Sequence, residues 1–335
     1  MNQPEKDSKM ATNAATQLDG FTIQRGYAEF YTGNQNSDLN DPNLLSSGGG
    51  ILAIDKSKGL ITNCTLTDNR ATSGGAIMVM DSSQLRITKT IIGGNEANFG
   101  GGIYVIGGSK PRLENVPVVT NKGLGGGMYV NQSQPMLVNC TIASNNGNGS
   151  AGGIFNINSV TTVKNSLLWG NTSPQTTQES MITYSIVEGG YTGTDNSSQN
   201  PLFVNAGSSG LAPMGGLGDY HVQPCSTAIN AGTNTDAPMV DLDGNARPYS
   251  SGIGITDMGV YESQTTGSTG PDQLTVNEPI TEGTVLKTGS RITGTNQVSG
   301  ATVVYQASQW VTLLPGFSAT ANEGKSFQAV IGGCP

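Results

Sequence analysis

A short phrase, glycines followed by an alternating apolar run, recurs five times in the first half of the chain. It reads GGGILAI, GGAIMVM, GGGIYVI, GGGMYVN and AGGIFNI. The first apolar residues of these copies are Ile51, Ile77, Ile103, Met128 and Ile154, at intervals of 26, 26, 25 and 26 residues. A fixed period of this length indicates a solenoid, in which each repeat forms one turn that contacts only its neighbours.

A second phrase recurs in step with the first and ends in asparagine each time. It reads NCTLTDN, KTIIGGN, NVPVVTN, NCTIASN and NSLLWGN. The closing residues are Asn69, Asn95, Asn121, Asn145 and Asn171, at intervals of 26, 26, 24 and 26 residues. Asparagine is favoured in turns and tolerates left-handed backbone angles. We therefore predict that these side chains form a ladder of turns, in which each one bonds the turn beside it.

The apolar residues of both phrases alternate, and glycine or asparagine separates the phrases. Alternation with a period of two indicates β-strands, and no segment has the 3.6-residue apolar stripe of an amphipathic helix. Each repeat is therefore predicted to contain two short strands. Stacked turns bring like residues into contact and so bury apolar surface. A chain with 12% charged residues and 48 glycines can form a core in this way. The predicted fold class is all-β.

The composition changes after the repeats. The segment TTGSTGPD, residues 265–272, has the composition of a linker. Beyond it, ATVVYQASQWVTLLPGF alternates as strands do, which indicates a small C-terminal β module at 273–335. The first unit is predicted to cover 1–264, with an irregular insertion at about 27–47 and a closing region at 200–264.

The charge and hydropathy of the chain exclude some partners. The net charge of −8 argues against nucleic acid and against an anionic membrane surface. No run approaches the ~18 apolar residues of a membrane-spanning helix. The first 17 residues lack the apolar segment of a secretion signal, and the β pattern begins abruptly at Leu18. We therefore expect the sequence to be a mature or truncated form.

The chain has four cysteines. Cys64 and Cys140 occupy the same column of the repeat, three turns apart, which is roughly 14 Å at the ordinary strand spacing. A disulfide needs Cα atoms within about 7 Å, so we predict two buried thiols that act as small core residues. Cys225 and Cys334 lie outside the repeats, and a bond between them is left open.

The paired GGxI and turn-asparagine motifs resemble the polymorphic outer-membrane-protein type of right-handed parallel β-helix. The segments YSIVEGGYTGTDNSSQNPLFVNA, GDYHVQPCSTAINAGTN and DLDGNARPYSSGIGITDMGVYES resemble the end of bacterial surface β-helix proteins with a choice-of-anchor module, common in Bacteroidetes. LLPGFSATANEGKSFQAVIGGC is similar to a small module near the C-terminus of type IX-secreted proteins of that phylum. These resemblances imply a right-handed parallel β-helix followed by a small β module, at the cell surface or outside the cell.

Enzymatic function is tested by the distribution of acids, since glycoside hydrolysis needs two carboxyl groups ~5–9.5 Å apart. In a β-helix such groups would recur in outward columns. The position before the closing asparagines holds one acid, Asp68, and otherwise Gly94, Thr120, Ser144 and Gly170. The single histidine, His221, excludes a multi-histidine metal site and occupies an alternating strand position that indicates packing. We therefore expect no catalytic residues and no enzyme.

One segment, DLDGNARP, offers oxygen ligands at Asp241, Asp243 and Asn245, in the alternate spacing of a calcium loop. The terminal glutamate of the twelve-residue loop is absent. An Asx-rich turn explains the same residues, with Arg247 pairing an acid downstream, either Asp257 or Glu262. We expect no cofactor, and calcium at this segment is the alternative.

The second strand of the repeat has an unusually apolar outward column. Its inward residues are uniformly small or aliphatic, so the alternate residues face outward. Ile91, Val119, Leu167 and Trp169 stand out among them. A contiguous apolar patch usually marks an interface. We therefore predict that this column is covered, either by the C-terminal module folding back or by another molecule.

Three classes of function compete. The first is a non-catalytic extracellular structural or adhesive protein that associates with itself as a filament or surface-layer subunit, or with a cell-surface or matrix partner. The second is a carbohydrate-binding protein, which predicts aromatic side chains along one outward groove. Tyr104, Tyr129 and Phe155 recur once per turn near one column, and stacking within the coil is their other explanation. The third is a polysaccharide-active enzyme, which lacks the acidic cluster that it needs.

Overall fold

The computed structural model describes residues 16–28, 46–177, 179–208, 216–224, 226–249, 254–264, 273–320 and 325–331. Every regular element in these segments is a β-strand. The predicted linker at 265–272 and most of the predicted insertion at 27–47 lie outside the described residues, as do Cys225 and Cys334.

Two seven-stranded parallel sheets run the length of one coil. Sheet A contains β1 (Thr16–Asp19), β5 (Gly59–Thr62), β9 (Arg86–Thr88), β13 (Arg112–Glu114), β17 (Met136–Val138), β20 (Thr162–Lys164) and β22 (Met181–Thr183). Sheet B contains β2 (Thr22–Gln24), β6 (Thr65–Thr67), β10 (Ile91–Gly93), β14 (Pro117–Val119), β18 (Thr141–Ala143), β21 (Leu167–Trp169) and β23 (Ile186–Val187). Each strand pairs with the equivalent strands of the turns before and after it, which is the connectivity of a parallel β-helix.

Two shorter parallel sheets complete the coil. Sheet C contains β3 (Tyr27–Ala28), β7 (Arg70–Ser73), β11 (Glu96–Phe99) and β15 (Lys122–Leu124). Sheet D contains β4 (Ile51–Ala53), β8 (Ile77–Val79), β12 (Ile103–Ile106), β16 (Met128–Asn131) and β19 (Ile154–Ile157). The GGxI phrase is the start of a sheet D strand, and the asparagine phrase contains a sheet B strand.

A complete turn has four strands, so the expectation of two strands per repeat was wrong. The chain bends between sheets without a Gly-Pro signal, because single residues with left-handed backbone angles form the corners. Between sheets A and B these are Asn63, Lys89, Asn115, Asn139 and Asn165, with φ between 46° and 52°. Between sheets B and C they are Asp68, Gly94, Thr120, Ser144 and Gly170.

The core of the coil is built from columns of like residues. The inward column of sheet B, fully buried, contains Leu66, Ile92, Val118, Ile142 and Leu168. Cys64 and Cys140 are buried in the neighbouring column with free thiols, so the prediction of two buried thiols is confirmed. Burial raises the pKa of Cys140 to about 12, which makes that thiol inert at neutral pH.

Two further strands follow the coil in the closing region. They are β24 (Phe203–Ala206) and β25 (Gly218–Val222), which pair in an antiparallel hairpin. The chain after the hairpin returns to the outside of sheet B. There Val260 N donates to Thr141 Oγ1 and Gly259 N donates to the carbonyl oxygen of Asn165.

The C-terminal module has its own parallel sheets and its own core. One sheet contains β26 (Gln273–Val276), β27 (Thr284–Gly294), β29 (Thr302–Leu313) and β31 (Phe327–Ile331), and the other contains β28 (Gln297–Ser299) and β30 (Ser318–Thr320). Ile292, Val303 and Tyr305 are fully buried between them. This all-β unit is what the alternation beyond residue 272 predicted.

Candidate functional site

The closing asparagines of the repeats stack as a ladder inside the coil, at the corner between sheets B and C. From Asn95 onward, each Oδ1 accepts two hydrogen bonds from the asparagine one turn earlier, from its backbone N–H and from its Nδ2, at 2.8–3.0 Å. Gln175 extends the ladder by accepting from Asn171 Nδ2 at 2.6 Å. All of these side chains are buried. The left-handed angle falls on the residue before each asparagine, not on the asparagine itself.

A second ladder, which the sequence did not reveal, is built from serines at the turn between sheets D and A. The backbone N–H of Ser83 donates to Ser109 Oγ, that of Ser109 to Ser133 Oγ, and that of Ser133 to Ser159 Oγ. Serine is common in any loop, so its 24- to 26-residue recurrence carries little weight in a glycine- and serine-rich chain. The asparagine ladder links successive turns where sheet B ends, and the serine ladder links them where sheet A begins.

The apolar outward column of sheet B is covered by this chain's own closing region. Val119 and Leu167 are each 1% exposed, and Ile91 and Trp169 are half-buried. At Val119 and Leu167 the predicted partner is wrong, because the closing region, and not the C-terminal module or a second molecule, supplies the cover. The closing region is distant in sequence from the strands of sheet B, so no local sequence pattern could predict the contact between them.

Two small clusters make that cover. Ala228 and Met258 pack against Leu167, with Trp169 at the edge of the cluster. Tyr220 packs against Val119. The glycines of sheet B and of the closing region permit the close approach, since a Cβ on Gly259 would lie 2.7 Å from Leu167 Cδ1.

The corner asparagines between sheets A and B hold the closing region in place. Asn115 Nδ2 donates to the carbonyl oxygen of Val240 at 2.6 Å, and Asn139 Nδ2 donates to that of Asp257 at 2.9 Å. Asn165 donates to the carbonyl oxygen of Thr233 and accepts from the backbone N–H of the same residue. These asparagines open the phrase that the ladder asparagines close, and the sequence alone gave them no role.

A cluster of buried charges lies inside the closing region. Arg247 contacts Glu262 at 3.2 Å, and both side chains are almost fully buried. Arg247 also donates to the carbonyl oxygens of Asp257 and Gly259. Of the two partners predicted for Arg247, Glu262 makes the ion pair. Burial, together with the charge of Asp257, raises the pKa of Glu262 to about 7.

The proposed calcium ligands do not converge in the structure. The Asp241 carboxylate accepts hydrogen bonds from the backbone N–H groups of Asn245 and Glu262, and from Asn245 Nδ2. Asp243 turns away and contacts His221 Nε2 at 2.9 Å. This is the geometry of an Asx-rich turn. Across the part of the chain that the structure describes, no group of three or more His, Cys, Asp or Glu side chains could hold a metal ion.

His221 joins the hairpin to the DLDG turn. Its Nδ1 contacts Asp219 at 2.6 Å, its Nε2 contacts Asp243, and its ring stacks on Tyr261 with centroids 3.6 Å apart. Burial lowers the pKa of His221, but the hydrogen bonds and charges of Asp219 and Asp243 outweigh it, so the pKa is raised. The packing role expected for His221 is thus combined with an ion pair on each side.

The aromatic residues that recur once per turn lie on the outward face of sheet D. Tyr104, Tyr129 and Phe155 are directly paired in register across three consecutive turns. The ring centroids of Tyr104 and Tyr129 are 4.9 Å apart and those of Tyr129 and Phe155 are 5.3 Å apart. Phe99 packs on the first two rings and is 39% exposed, whereas Tyr129 is 6% exposed. We call these four residues the aromatic face.

A groove whose lining residues are mostly polar lies next to the strands of the aromatic face. It has a volume of about 440 Å³ and is formed by the turns that leave the three strands carrying Tyr104, Tyr129 and Phe155. Its lining side chains include Lys110, Gln132, Gln134, Asn158, Ser159 and Val160. Amide groups both donate and accept hydrogen bonds, so this groove suits a ligand that carries hydroxyl or amide groups.

Two glutamates of the repeats, Glu96 and Glu114, are each engaged in two ion pairs. Glu114 contacts Arg86 at 2.7 Å and Arg112 at 2.6 Å, and although burial opposes it, these hydrogen bonds lower the pKa of Glu114. Glu96 contacts Arg70 and Lys122 on neighbouring turns. A carboxylate held between two cations is a stabilising link rather than a proton donor.

The parallel coil, the glycine and asparagine corners and the stacked ladders define a class of protein, the solenoid with a β-helical core. The sequence model for the right-handed β-helix region matches residues 10–205, more than half of the chain, and the chain belongs to that family. No curated protein matches this chain, and no solved structure does. No helix among the described residues is long and apolar enough to cross a membrane.

Proposed function

We propose that this chain is a non-catalytic β-helix protein with an adhesive or structural role outside the cell. The observation that carries the proposal is the aromatic face, which the coil presents outward on three consecutive turns. The other apolar face, on sheet B, is already covered by the closing region. Adhesion through sheet D therefore uses the apolar outward surface that the described closing region does not occupy.

The rigidity of the coil supports a scaffold role. Asparagine and serine ladders link successive turns through buried side chains. Because these hydrogen bonds fix the turns relative to one another, the outward columns are held at a fixed spacing. The location outside the cell rests on the resemblance of the closing segments to bacterial surface proteins and of the C-terminal segment to type IX-secreted proteins. A filament or surface-layer subunit would not associate through the sheet B face, since the closing region covers Val119 and Leu167 there.

The distribution of acids supports a role without catalysis. Glu114 and Glu96 each lie between two cations on the outward side of the coil. Glu262, whose pKa burial raises to about 7, is buried with Arg247 inside the closing region, where no polysaccharide could reach it. A polysaccharide-active enzyme needs an acid and a base that both contact the substrate.

The test combines adhesion and activity on the same material. Fluorescently labelled protein is added to cell envelopes of the source organism, and the bound fraction is measured beside that of a Tyr104→Ser/Phe155→Ser variant. We expect saturable binding that the variant loses, and no release of reducing ends or unsaturated uronic products. Absence of envelope binding, or product release above a denatured control, would contradict the proposal.

A further inference from the structure

We infer that the aromatic face and the groove beside it bind a neutral glycan chain that lies across successive turns of the coil. This inference rests on the proposed adhesive function and names its ligand class. The two features occupy the same three turns, since the strands that carry Tyr104, Tyr129 and Phe155 lead directly into the turns that form the groove.

The aromatic side supplies the apolar contact. Sugar rings have one face of C–H groups, and such a face packs on aromatic carbon. Tyr104, Phe155 and Phe99 remain accessible at the surface, with Phe99 39% exposed, and the buried Tyr129 holds their rings apart. Turns of the coil are ~4.8 Å apart, close to the length of a single sugar ring, so adjacent sugars would meet adjacent turns.

The groove supplies the polar contact. Sugar hydroxyl groups donate and accept hydrogen bonds, and the side chains of Gln132, Gln134 and Asn158 can do both. Tyr104 also presents a hydroxyl, which is hydrogen-bonded to Asn131 at the border between face and groove. An apolar surface with a few convergent polar groups is the usual composition of a small-ligand site.

The charge of the site selects neutral chains. Lys110 is the one ionisable side chain that lines the groove. A polyanion such as a polyuronate is held by clustered cations, and this chain carries a net charge of −8. A repeating, in-register surface also matches a polymer of identical units better than it matches the irregular surface of a folded protein.

The probes are insoluble chitin, cellulose and β-1,3-glucan, with immobilised polygalacturonate as the charged comparison. The full chain is incubated with each at increasing load, and depletion from solution gives the affinity. Three variants are compared: Tyr104→Ser/Phe155→Ser at the aromatic face, Gln134→Ala in the groove, and Phe21→Ser as a matched control, because Phe21 is an aromatic residue 57% exposed elsewhere on the coil.

We expect saturable binding to at least one neutral probe and none to polygalacturonate. The double variant should bind about tenfold more weakly or worse, since it removes two of the aromatic rings on which the sugars would pack. Gln134→Ala should weaken binding without changing the melting temperature, because that side chain is exposed. Phe21→Ser should bind as the parent does.

The outcomes separate this inference from the adhesive proposal. Envelope binding that depends on Tyr104 and Phe155, without binding to any neutral probe, would overturn the glycan class and leave the adhesive proposal intact. Equal glycan binding by parent, double variant and Gln134→Ala would overturn the site. A preference for polygalacturonate would overturn the neutral class. Absence of both glycan and envelope binding would overturn both statements.

Discussion

The amide of Asn121 is hydrogen-bonded on both sides inside the coil. Its Oδ1 accepts from Asn95, and its Nδ2 donates to Asn145 and to the carbonyl oxygen of Ile92. Replacing this buried amide with a shorter side chain would leave unpaired hydrogen-bond donors and acceptors on the neighbouring turns. The desolvation cost of such groups is about 1–3 kcal/mol each.

Removing two members of the ladder should therefore lower stability strongly. For Asn95→Ala/Asn121→Ala we expect the free energy of unfolding to fall by about 2–6 kcal/mol, from the cost of two or more unpaired buried groups. Denaturant unfolding measures this directly. Asn98→Ala is the control. Asn98 is exposed in β11, the strand that follows Asn95, so its replacement should change the free energy of unfolding little. Equal stability of the two variants would contradict the structural role of the ladder.

His221 should make the closing region depend on pH. Its pKa is raised in the folded protein, so the proton is bound more tightly when the chain is folded. The stabilisation is fully present below the unfolded pKa of about 6.5 and is lost as the pH rises through the higher folded value. Neutral imidazole has one N–H, so it can donate to only one of Asp219 and Asp243 at a time.

The measurement is the difference in unfolding free energy between the parent and His221→Gln across pH 5–9. We expect the parent's advantage to be largest at the acidic end and to shrink as the pH rises through the folded pKa. Glu262 also titrates, with its pKa raised to about 7 by burial, but both proteins carry it and its effect cancels in the difference. A difference that grows toward alkaline pH would contradict the ion pairs of His221.

At the scale of the strand and turn, glycine sets how closely successive turns approach. A Cβ on Gly101 would lie within 2.6 Å of the backbone carbonyl carbon and nitrogen of Lys122 on the next turn. Gly101 has no positive φ, so the requirement is one of space and not of backbone angle. This is the physical reason for the glycine pair that precedes each sheet D strand.

Gly101→Ala should therefore destabilise the coil by about 1–3 kcal/mol, the usual cost of forcing an extra carbon into a packed interior. Gly59→Ala is the comparison, because the nearest atom to a Cβ there lies 3.2 Å away and a smaller shift relieves it. Thermal unfolding of the two variants gives the ranking. A lower melting temperature for Gly59→Ala than for Gly101→Ala would contradict this account of stacking.

The sequence predicted two of the four strands of a complete turn and missed the other two, together with the cover over sheet B. Periodic glycines, asparagines and apolar columns predicted the parallel coil and the inward residues of sheet B. The strands of sheets A and C were missed because three-residue strands bounded by single left-handed residues have no distinct signal. The cover over Val119 and Leu167 depends on hydrogen bonds such as that between Val260 and Thr141, 119 residues apart, which no local pattern encodes.

At the scale of the whole molecule, the closing region keeps an apolar sheet face from meeting other molecules. Met258 is 3% exposed and packs against Leu167. A charge at this position would be buried without a partner, at a cost of several kcal/mol. Lifting the cover would expose the outward column of sheet B, which is apolar enough to associate.

Met258→Asp should accordingly convert a non-associating surface into an associating one. Light scattering across a concentration series should show larger particles for Met258→Asp than for the parent. Met239→Asp is the matched control, because Met239 lies in the same closing region and is 85% exposed. Association of the control to the same extent, or of neither variant, would show that the closing region does not protect the sheet B face.

The central claim is that the aromatic face of sheet D is the surface through which this β-helix adheres. Hydroxyl-radical footprinting of aromatic side chains, with and without cell envelopes, tests it in a single measurement. We expect protection of Phe99, Tyr104 and Phe155 on binding, and unchanged oxidation of the exposed Phe21 and Trp310. Protection confined to Phe21 or Trp310, or bound protein with an unprotected sheet D, would contradict the claim.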